Sequence, residues 1–309
     1  MLCIIPVKMS RTRATIIYNP MSGRPGRRAD NALDMVRLLG ERGIEEEACA
    51  TTAPDDATRI AAEALGDGRE IIISYGGDGT LNEVIQSMVG HSAALAVWAG
   101  GTSNVVARDL QLPFQTELLA DTIARGKTRR IALGKAETRA NGSGRAPRYF
   151  LMFVGIGLDA AIARSVNRRL KRATGEFAYW VTGIKHLVGW RAEPFDIEVD
   201  GEKYEGVFAL LGNGKGYGGG LSMTPQASLD QPWFDVYILP RRANNFLYLP
   251  DLAACMRGRA GQTSAVVVRG SHVKAVSSFE HWVQADGEII GPLPMTFDIV
   301  PDALSIIVP

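Results

Sequence analysis

The sequence is poor in the residues that build disulfides and metal sites. Its 309 residues include three cysteines (Cys3, Cys49 and Cys255) and four histidines. The cysteines are scattered and the histidines form no pair at helical spacing, so neither a zinc site nor a redox motif is indicated. So few cysteines are typical of a reducing compartment, and we expect a cytoplasmic protein without disulfides.

A strong net charge and a long apolar run are also lacking. The 34 lysines and arginines nearly balance the 33 aspartates and glutamates, and a formal net charge of +1 provides no overall field to recruit nucleic acid. No apolar stretch approaches the roughly 20 residues of a membrane-spanning helix, and residues 1–13 do not have the pattern of a signal peptide. We expect a soluble protein that binds no nucleic acid and contacts a membrane peripherally.

The first part of the chain alternates short apolar runs with amphipathic ones. The runs at 14–18, 71–74 and 94–98 predict buried strands, and helical periodicity follows each of them. Strands that alternate with helices are typical of an α/β layer with a largely parallel sheet. The length favours two domains, and we assign residues 1–130 to this α/β domain.

From about residue 131 the pattern is mostly one of strands. Asp200-Gly201, between two of them, is a favoured hairpin turn. Two helical patches interrupt the strands, at about 160–186 and 246–256. We therefore expect residues 131–309 to form a β-rich, sandwich-like domain.

A polar turn follows the first predicted strand. Pro20 and Gly23 mark a tight turn, and Asn19 and Ser22 supply short polar side chains. Open α/β sheets bind ligands at the carboxyl ends of their strands, which is where this turn falls. Taken alone, an ordinary strand–helix turn explains the pattern equally well.

A glycine loop follows the predicted strand at 71–74. The sequence Gly76-Gly77-Asp78-Gly79-Thr80 leads into a predicted helix at 81–88, which Thr80 could cap. Glycines let backbone N–H groups approach phosphate oxygens, and a helix N-terminus adds its positive dipole. Asp78 would repel a phosphate unless it binds Mg²⁺ or accepts a proton from an attacking hydroxyl. The alternative is a simple glycine turn with an exposed aspartate.

A second glycine loop follows the next predicted strand. The sequence Gly100-Gly101-Thr102-Ser103-Asn104 again opens a helix. Two such loops after neighbouring strands indicate one shared crevice. The lysine motif of ordinary P-loop enzymes does not occur in the sequence. The loops therefore predict a phosphate site of another kind.

Two carboxylates share one turn far along the chain. Asp286 and Glu288 flank Gly287 after a predicted strand. A hairpin turn alone explains this pattern. The pair could also act as a base with its orienting partner.

Together these four stretches resemble the diacylglycerol kinase catalytic-domain family, which includes bacterial lipid kinases and the sphingosine and ceramide kinases. The resemblance covers nearly the whole chain and includes Gly155-Ile156-Gly157 and Asn213-Gly214-Lys215. It implies a first domain that binds ATP and an enzyme that uses ATP and Mg²⁺ to phosphorylate a hydroxyl of a membrane lipid. The residues that it implies as nucleotide contacts are Asn19, Pro20, Ser22, Gly23, Thr51, Gly76, Gly77, Asp78, Gly79, Thr80, Leu81, Asn82, Gly101, Thr102 and Asn104.

The resemblance also implies catalytic and metal-binding roles. Glu288 would be the base in bacterial members, with Asp286 on the same turn, whereas Asp78 has that role in sphingosine-type members. A structural Mg²⁺ would be held by Asp230 and by backbone carbonyls near Ala227 and Pro232.

The sequence departs from the family pattern at three places. Val105 follows Asn104 where bacterial diacylglycerol kinases have an aspartate, which sphingosine-type kinases also lack, and this favours a ceramide or sphingoid acceptor. Arg24 replaces a common lysine, a tolerable change for a phosphate contact. Gln231-Pro232 replaces the usual Gly-Leu near the structural metal.

Other interpretations stay open at this point. Gly155, Gly157 and Ala160 match a dinucleotide fingerprint, although a second helical stretch follows them instead of a parallel strand. A pseudokinase that only binds ATP would explain Val105, and NAD kinases share the Gly-Gly-Asp-Gly loop. A tryptophan-bearing apolar face at 180–190 suits a membrane surface, with a buried helix as the equal alternative. A homodimer is a further open expectation.

Overall fold

Two β-sheets organise the chain. The computed structural model describes residues 12–22, 27–138, 146–157, 192–216 and 223–309. The elements of its first half are β1 (Arg13–Tyr18), α1 (Arg28–Glu41), β2 (Glu45–Ala50), α2 (Asp56–Gly66), β3 (Ile71–Gly76), α3 (Asp78–Met88), β4 (Ala94–Ala99), α4 (Val105–Asp109) and α5 (Thr116–Arg125).

The first four strands form a parallel layer in the order β2-β1-β3-β4. Strand β3 is buried along its whole length, as expected for a parallel strand covered on both faces. The pairing aligns Tyr18 with Ala50 and with Tyr75, and Tyr75 with Trp98. The carboxyl ends of all four strands therefore meet at one edge, and the predicted loops lie there together.

The second half is built mainly of antiparallel strands. Its elements are β5 (Thr128–Thr138), β6 (Arg148–Phe150), β7 (Phe153–Ile156), β8 (Phe195–Val199), β9 (Glu202–Gly206), β10 (Phe208–Gly212), β11 (Phe234–Leu239), a 3₁₀ turn (Asn245–Tyr248), α6 (Leu249–Met256), a second 3₁₀ turn (Ala260–Gln262), β12 (Val266–Gly270), β13 (His272–Val276), β14 (Trp282–Ala285), β15 (Glu288–Pro292) and β16 (Met295–Ile307).

A six-stranded sheet packs on the antiparallel part of the larger sheet. Its order is β12-β11-β10-β7-β14-β15. One buried apolar cluster joins the facing strands of the two sheets, with Val154, Phe234 and Phe297 among its members. The predicted fold class is confirmed: the first half is α/β with a largely parallel sheet, and the second half is β-rich and sandwich-like.

Strand β16 links the two halves. It pairs in parallel with β4, where Ser305 lies opposite Ala94, and antiparallel with β5 and β13. One sheet therefore runs from the parallel layer into the sandwich, and the two halves share backbone hydrogen bonds. The division at residues 130 and 131 stays a prediction.

Some predicted helices differ from those observed. Helix α3 begins at Asp78 with Gly77 at its N-cap position, so the prediction that Thr80 caps it is wrong, because Thr80 already lies in the first turn. The helical patch at 160–186 and the apolar face at 180–190 lie outside the described residues. Within the described ranges, no helix is long and apolar enough to cross a membrane.

Candidate active site

The loops at the carboxyl edge of the parallel layer are tied together by backbone hydrogen bonds. The N–H of Asn19 donates to the carbonyl of Tyr75 (3.2 Å), and the N–H of Thr51 donates to the carbonyl of Tyr18 (2.9 Å). The N–H of Gly100 donates to the carbonyl of Gly76 (2.8 Å). Three of the predicted nucleotide-binding stretches and Thr51 are thus brought to one edge of the sheet.

The turn after β1 is closed by its own polar side chains. Asn19 Oδ1 accepts a hydrogen bond from the N–H of Met21 (2.9 Å), and Ser22 Oγ donates to the carbonyl of Asn19 (3.2 Å). This is the local bonding expected of Asn and Ser in a tight turn through Pro20. Gly23 and Arg24 lie outside the described residues.

The two glycine loops touch through glycine backbones. A Cβ atom on Gly101 would lie 2.6 Å from the Cα of Gly77, so a side chain cannot be placed there without moving one loop. Asn104, at a φ of 46°, accepts a hydrogen bond from the N–H of Gly101 (2.8 Å) and donates to its carbonyl (3.0 Å). Thr102 is the exposed tip of this closed loop.

The N-terminus of α3 could serve as a cradle for an anion. The first N–H groups of a helix have no partner inside the helix, and the helix dipole makes them favourable for phosphate oxygens. Gly79 lies in this first turn, whereas Thr80, Leu81 and Asn82 are buried below it. The glycine loop therefore offers backbone N–H groups at the surface, while the larger side chains that follow it are packed inward.

Asp78 joins the cradle to the second glycine loop. Its Oδ1 accepts a hydrogen bond from the N–H of Val105 at the start of α4 (2.9 Å). A cavity of about 10 Å³, roughly one water in size, lies beside it and is also lined by Ser74. The Ser74 hydroxyl is buried and has no hydrogen-bond partner among the residues that the structure describes. A carboxylate and a hydroxyl at the edge of a phosphate cradle fit Mg²⁺, which prefers oxygen ligands and few carboxylates.

Arg28 is a cation that the sequence motifs do not reveal. The residue is almost buried (9% exposed). Its guanidinium donates from Nε to the carbonyl of Ser22 (2.9 Å) and lies 4.5 Å above the ring of Tyr75. Tyr75 is in turn stacked on Trp98 with 3.6 Å between ring centroids. A Cβ on Gly100 would collide with the same guanidinium. Arg28 therefore lies where all three loops meet.

Asp286 is the centre of a buried hydrogen-bond network. Its two carboxylate oxygens accept from the backbone N–H groups of Leu151 (2.7 Å), Met152 (2.9 Å) and Phe153 (3.1 Å). A fourth donor is the side-chain amide of Asn82 (2.9 Å). Burial raises the pKa of Asp286, whereas these donors act in the opposite direction. With both oxygens engaged, Asp286 holds the strand β7 region against α3.

Glu288 lies at the surface of the cradle, and Arg148 holds it there. Arg148 Nη2 donates to Glu288 Oε2 and to Asn82 Oδ1, both at 2.6 Å. The other carboxylate oxygen, Oε1, would be 3.4 Å from a Cβ atom placed on Gly79. Burial raises the pKa of Glu288, and the Arg148 charge opposes this rise. Asp286 therefore orients Glu288 indirectly, through Asn82 and Arg148.

Sequence reasoning missed Arg148 and did not reveal the side-chain partners of Asn82. The motif places Asn82 among nucleotide contacts, but its side chain faces Asp286 and Arg148 inside the protein. Arg148 carries no motif of its own, and it is separated from Glu288 by 140 positions. The only signal in the sequence is an arginine at the start of a predicted strand.

The structural metal site at Asp230, Ala227 and Pro232 stays a prediction, and an ion pair engages its only side-chain ligand. Asp230 Oδ1 is in an ion pair with Arg129 Nε at 3.0 Å, so its charge is already balanced. Ala227 is buried, and its N–H donates to the carbonyl of Thr224 (3.1 Å). Among the residues described, no group of three or more His, Cys, Asp or Glu side chains could hold a metal. We therefore derive no role for a metal at Asp230, Ala227 and Pro232.

Comparison with known proteins gives a consistent result over both halves. Residues 13–136 match the family model described as diacylglycerol kinase catalytic domain, and residues 152–308 match the one described as YegS C-terminal NAD kinase beta sandwich-like domain. The chain is 32% identical over 291 residues to a diacylglycerol kinase of Bacillus subtilis, with 92% of each chain covered. It is also 32% identical to a diacylglycerol kinase of Staphylococcus saprophyticus, covering 93% of this chain and 92% of the relative.

Solved structures share the fold. A putative diacylglycerol kinase from Bacillus anthracis is similar with a TM-score of 0.77 and 23% identity, over 98% of this chain and 97% of that one. A second structure, titled as a diacylglycerol kinase of the same organism, has the same TM-score and identity and is covered over 99% of its length. These structures support the arrangement of an α/β layer followed by a sandwich.

Proposed function

The chain belongs to the diacylglycerol kinase catalytic-domain family, and on this premise we propose that it transfers the γ-phosphoryl group of ATP to a hydroxyl of a membrane lipid. Its relatives are kinases, and the family membership supports a lipid kinase in general. The use of ATP and the identity of the acceptor are the finer parts of the proposal. We place the enzyme in the cytoplasm, in peripheral contact with the membrane that contains its acceptor.

One observation carries the proposal. Glu288 Oε1 lies beside Gly79, in the first turn of α3. A phosphoryl group on this helix N-terminus and an acceptor hydroxyl near Glu288 would therefore be neighbours. A base must lie within hydrogen-bond reach of the proton that it accepts, and the arrangement provides such a place next to the phosphate cradle.

The residues around the cradle divide the work. The N-terminus of α3 would hold the transferred group, and Arg28 would add positive charge on the side of the β1 loop. Glu288 Oε1 would accept the hydroxyl proton while Arg148 keeps Oε2 in place. A Mg²⁺ ion at Asp78, when bound, would neutralise charge on the nucleotide phosphates. Positioning and charge neutralisation supply most of the catalysis in phosphoryl transfers of this kind.

We propose diacylglycerol as the principal acceptor. The relatives that match more than nine tenths of the chain are named diacylglycerol kinases. Val105 favours a ceramide or sphingoid base as the second candidate, because an aliphatic side chain stands at the start of α4 where an aspartate is the bacterial norm. The hydrogen bond that the Val105 N–H donates to Asp78 does not depend on the Val105 side chain.

An acceptor assay tests the proposal. Labelled ATP with Mg²⁺ is offered with diacylglycerol, ceramide, sphingosine or monoacylglycerol in mixed micelles, and with NAD in solution. We expect label in the diacylglycerol product. Label in ceramide or sphingosine would transfer the assignment to the second candidate. Label in NAD would contradict a lipid acceptor, and ATP binding without any product would indicate a pseudokinase.

Arg148→Met should move the acidic limb of the kcat–pH profile to higher pH. Because the Arg148 charge opposes the rise in the pKa of Glu288 caused by burial, its loss raises that pKa further. The base then becomes protonated, and activity is lost, at a higher pH. At neutral pH we expect kcat to fall by about tenfold or more, since the carboxylate also loses its fixed position.

Two further variants serve as controls for this result. Arg148→Lys keeps the charge and should leave the acidic limb closer to that of the unaltered enzyme. Arg125→Met removes an exposed arginine in the last turn of α5 and should leave the profile unchanged. If Arg148→Met lowers kcat at every pH but leaves the acidic limb at the same pH, the electrostatic role of Arg148 is contradicted.

A further inference from the structure

An exposed apolar surface lies on the segment that connects β11 to β12. Four large apolar side chains are exposed there: Phe246 by 65%, Leu247 by 41%, Leu249 by 42% and Met256 by 53%. The first three are close along the chain, and Met256 lies two helical turns beyond Leu249 on the same side of α6. Single exposed apolar residues are ordinary, but a contiguous group marks an interaction surface.

Polar contacts fix the orientation of this segment. Asp251, buried in α6, accepts from the N–H and the hydroxyl of Ser264 (2.9 and 2.8 Å) and is paired with Arg242 (3.4 Å). Tyr248 Oη donates to the carbonyl of Pro240 (3.2 Å) and accepts from the N–H of Arg242 (2.9 Å). The segment therefore has a defined inward face.

This segment buries the apolar residues Tyr248 and Cys255 but leaves several larger apolar side chains exposed. A helix on a globular protein normally buries its apolar stripe and exposes its polar one. Here Tyr248, Asp251 and Cys255 are buried, with 7% exposure or less, whereas phenylalanine, leucine and methionine side chains face outward. Since the inward polar contacts are satisfied, the helix cannot rotate to bury the apolar side chains without breaking those contacts. The outward apolar side chains are therefore held in contact with solvent, where a partner could bind them.

The charged residues of this segment are mostly arginines. Residues 240–262 contain four arginines, at positions 241, 242, 257 and 259, and a single acidic residue, Asp251, which is buried and paired. Such a cluster is a local exception in a chain whose formal net charge is +1. Exposed apolar side chains bordered by arginines are the pattern of surfaces that insert shallowly into membranes with anionic headgroups.

We propose that residues 241–259 form the surface by which this protein docks onto an anionic lipid bilayer. The exposed apolar side chains enter the acyl boundary, and the arginines lie at the level of the headgroup phosphates. The inference rests on the proposed function, which explains why docking is needed: an enzyme whose acceptor is a membrane lipid must reach that lipid in the bilayer. The docking itself is measurable without turnover.

A second copy of the chain is the rival occupant. Strand β12 follows the segment at the edge of the six-stranded sheet, and its Val266 and Val267 are 43% and 47% exposed. In a symmetric dimer, however, the same patch would lie on both sides of the interface. The arginines would then face arginines, which opposes self-association. An anionic bilayer complements the same charges.

Vesicle cosedimentation tests the docking surface. The full chain is mixed with vesicles of phosphatidylcholine, either alone or with phosphatidylglycerol, and should bind the anionic vesicles, less tightly as salt increases. Phe246→Ser combined with Leu249→Ser should weaken binding by at least about tenfold. Arg257→Glu combined with Arg259→Glu should also weaken it by at least about tenfold, since each arginine near an anionic surface contributes about fivefold.

Matched controls and a soluble acceptor make the result decisive. Phe114→Ser and Arg125→Glu remove exposed residues elsewhere, and they should bind vesicles like the unaltered chain. The docking variants should melt like the unaltered chain and keep its rate on a short-chain, water-soluble acceptor. Vesicle binding equal to that of the controls would overturn the proposal. The proposal would also be overturned if light scattering showed that the docking variants lose an oligomer while their vesicle binding is unchanged.

The docking surface and the proposed function can fail separately. If the docking variants lose vesicle binding but no lipid is phosphorylated in the acceptor assay, the surface stands and the lipid kinase activity does not. If diacylglycerol is phosphorylated while the variants bind vesicles normally, the activity stands and the surface lies elsewhere.

Discussion

Replacing Glu288 by glutamine is expected to lower kcat by about two to four orders of magnitude while ATP still binds, because a general base contributes about that much to a rate. Glutamine has nearly the same shape and can still accept the hydrogen bond from Arg148. It cannot accept the proton of the acceptor hydroxyl. Steady-state kinetics with diacylglycerol in mixed micelles measure the loss, and equilibrium nucleotide binding measures what remains.

The control for this variant is Glu117→Gln, which removes an exposed carboxylate at the start of α5, away from the cradle. It should leave kcat unchanged. We also expect the Glu288→Gln rate to lose its dependence on pH in the acidic range, because the group that titrates there is gone. A Glu288→Gln rate within a few fold of the unaltered enzyme would exclude Glu288 as the base.

The sequence was sufficient to predict that the polar turn and the two glycine loops lie together at one edge of the sheet. Strands β1, β3 and β4 are continuous apolar runs followed directly by polar or glycine loops, and parallel pairing places such loops at one edge. Short-range chemistry decides these features, since the residues that form each loop are neighbours in the chain. The fold class followed from the same alternation of strands and helices.

The arrangement around the proposed base could not be derived in the same way. Asp286 and Glu288 share a turn, but only the packed structure shows that one is buried among backbone donors and the other faces the cradle. The contact that holds Glu288 comes from Arg148, on a strand far away in sequence. The pairing of β16 with β4 is equally remote, with Ser305 opposite Ala94. Such contacts depend on long-range packing, which no local pattern encodes.

Asp78→Asn should reduce kcat/KM by at least about a hundredfold, since charge stabilisation by a metal ion at a phosphate is worth several kcal/mol. The asparagine oxygen can still accept the hydrogen bond from the N–H of Val105, so the start of α4 stays in place. What the variant removes is the negative charge. The concentration of Mg²⁺ needed for half-maximal rate should therefore rise, and this is measured by titrating Mg²⁺ at fixed ATP.

A comparison of Asp78→Asn with Asp78→Ala separates the two tasks of this side chain. Alanine also removes the acceptor for the Val105 N–H, which should lower the free energy of unfolding by a further ~1–2 kcal/mol. Asparagine should leave the melting temperature near that of Asp34→Asn, an exposed control on α1. If Asp78→Asn keeps full activity at low Mg²⁺, the carboxylate serves only to join the glycine loops. If activity falls and the Mg²⁺ requirement rises while the fold is unchanged, the charge of Asp78 acts in the reaction, as an oxygen ligand for Mg²⁺ at the edge of the cradle.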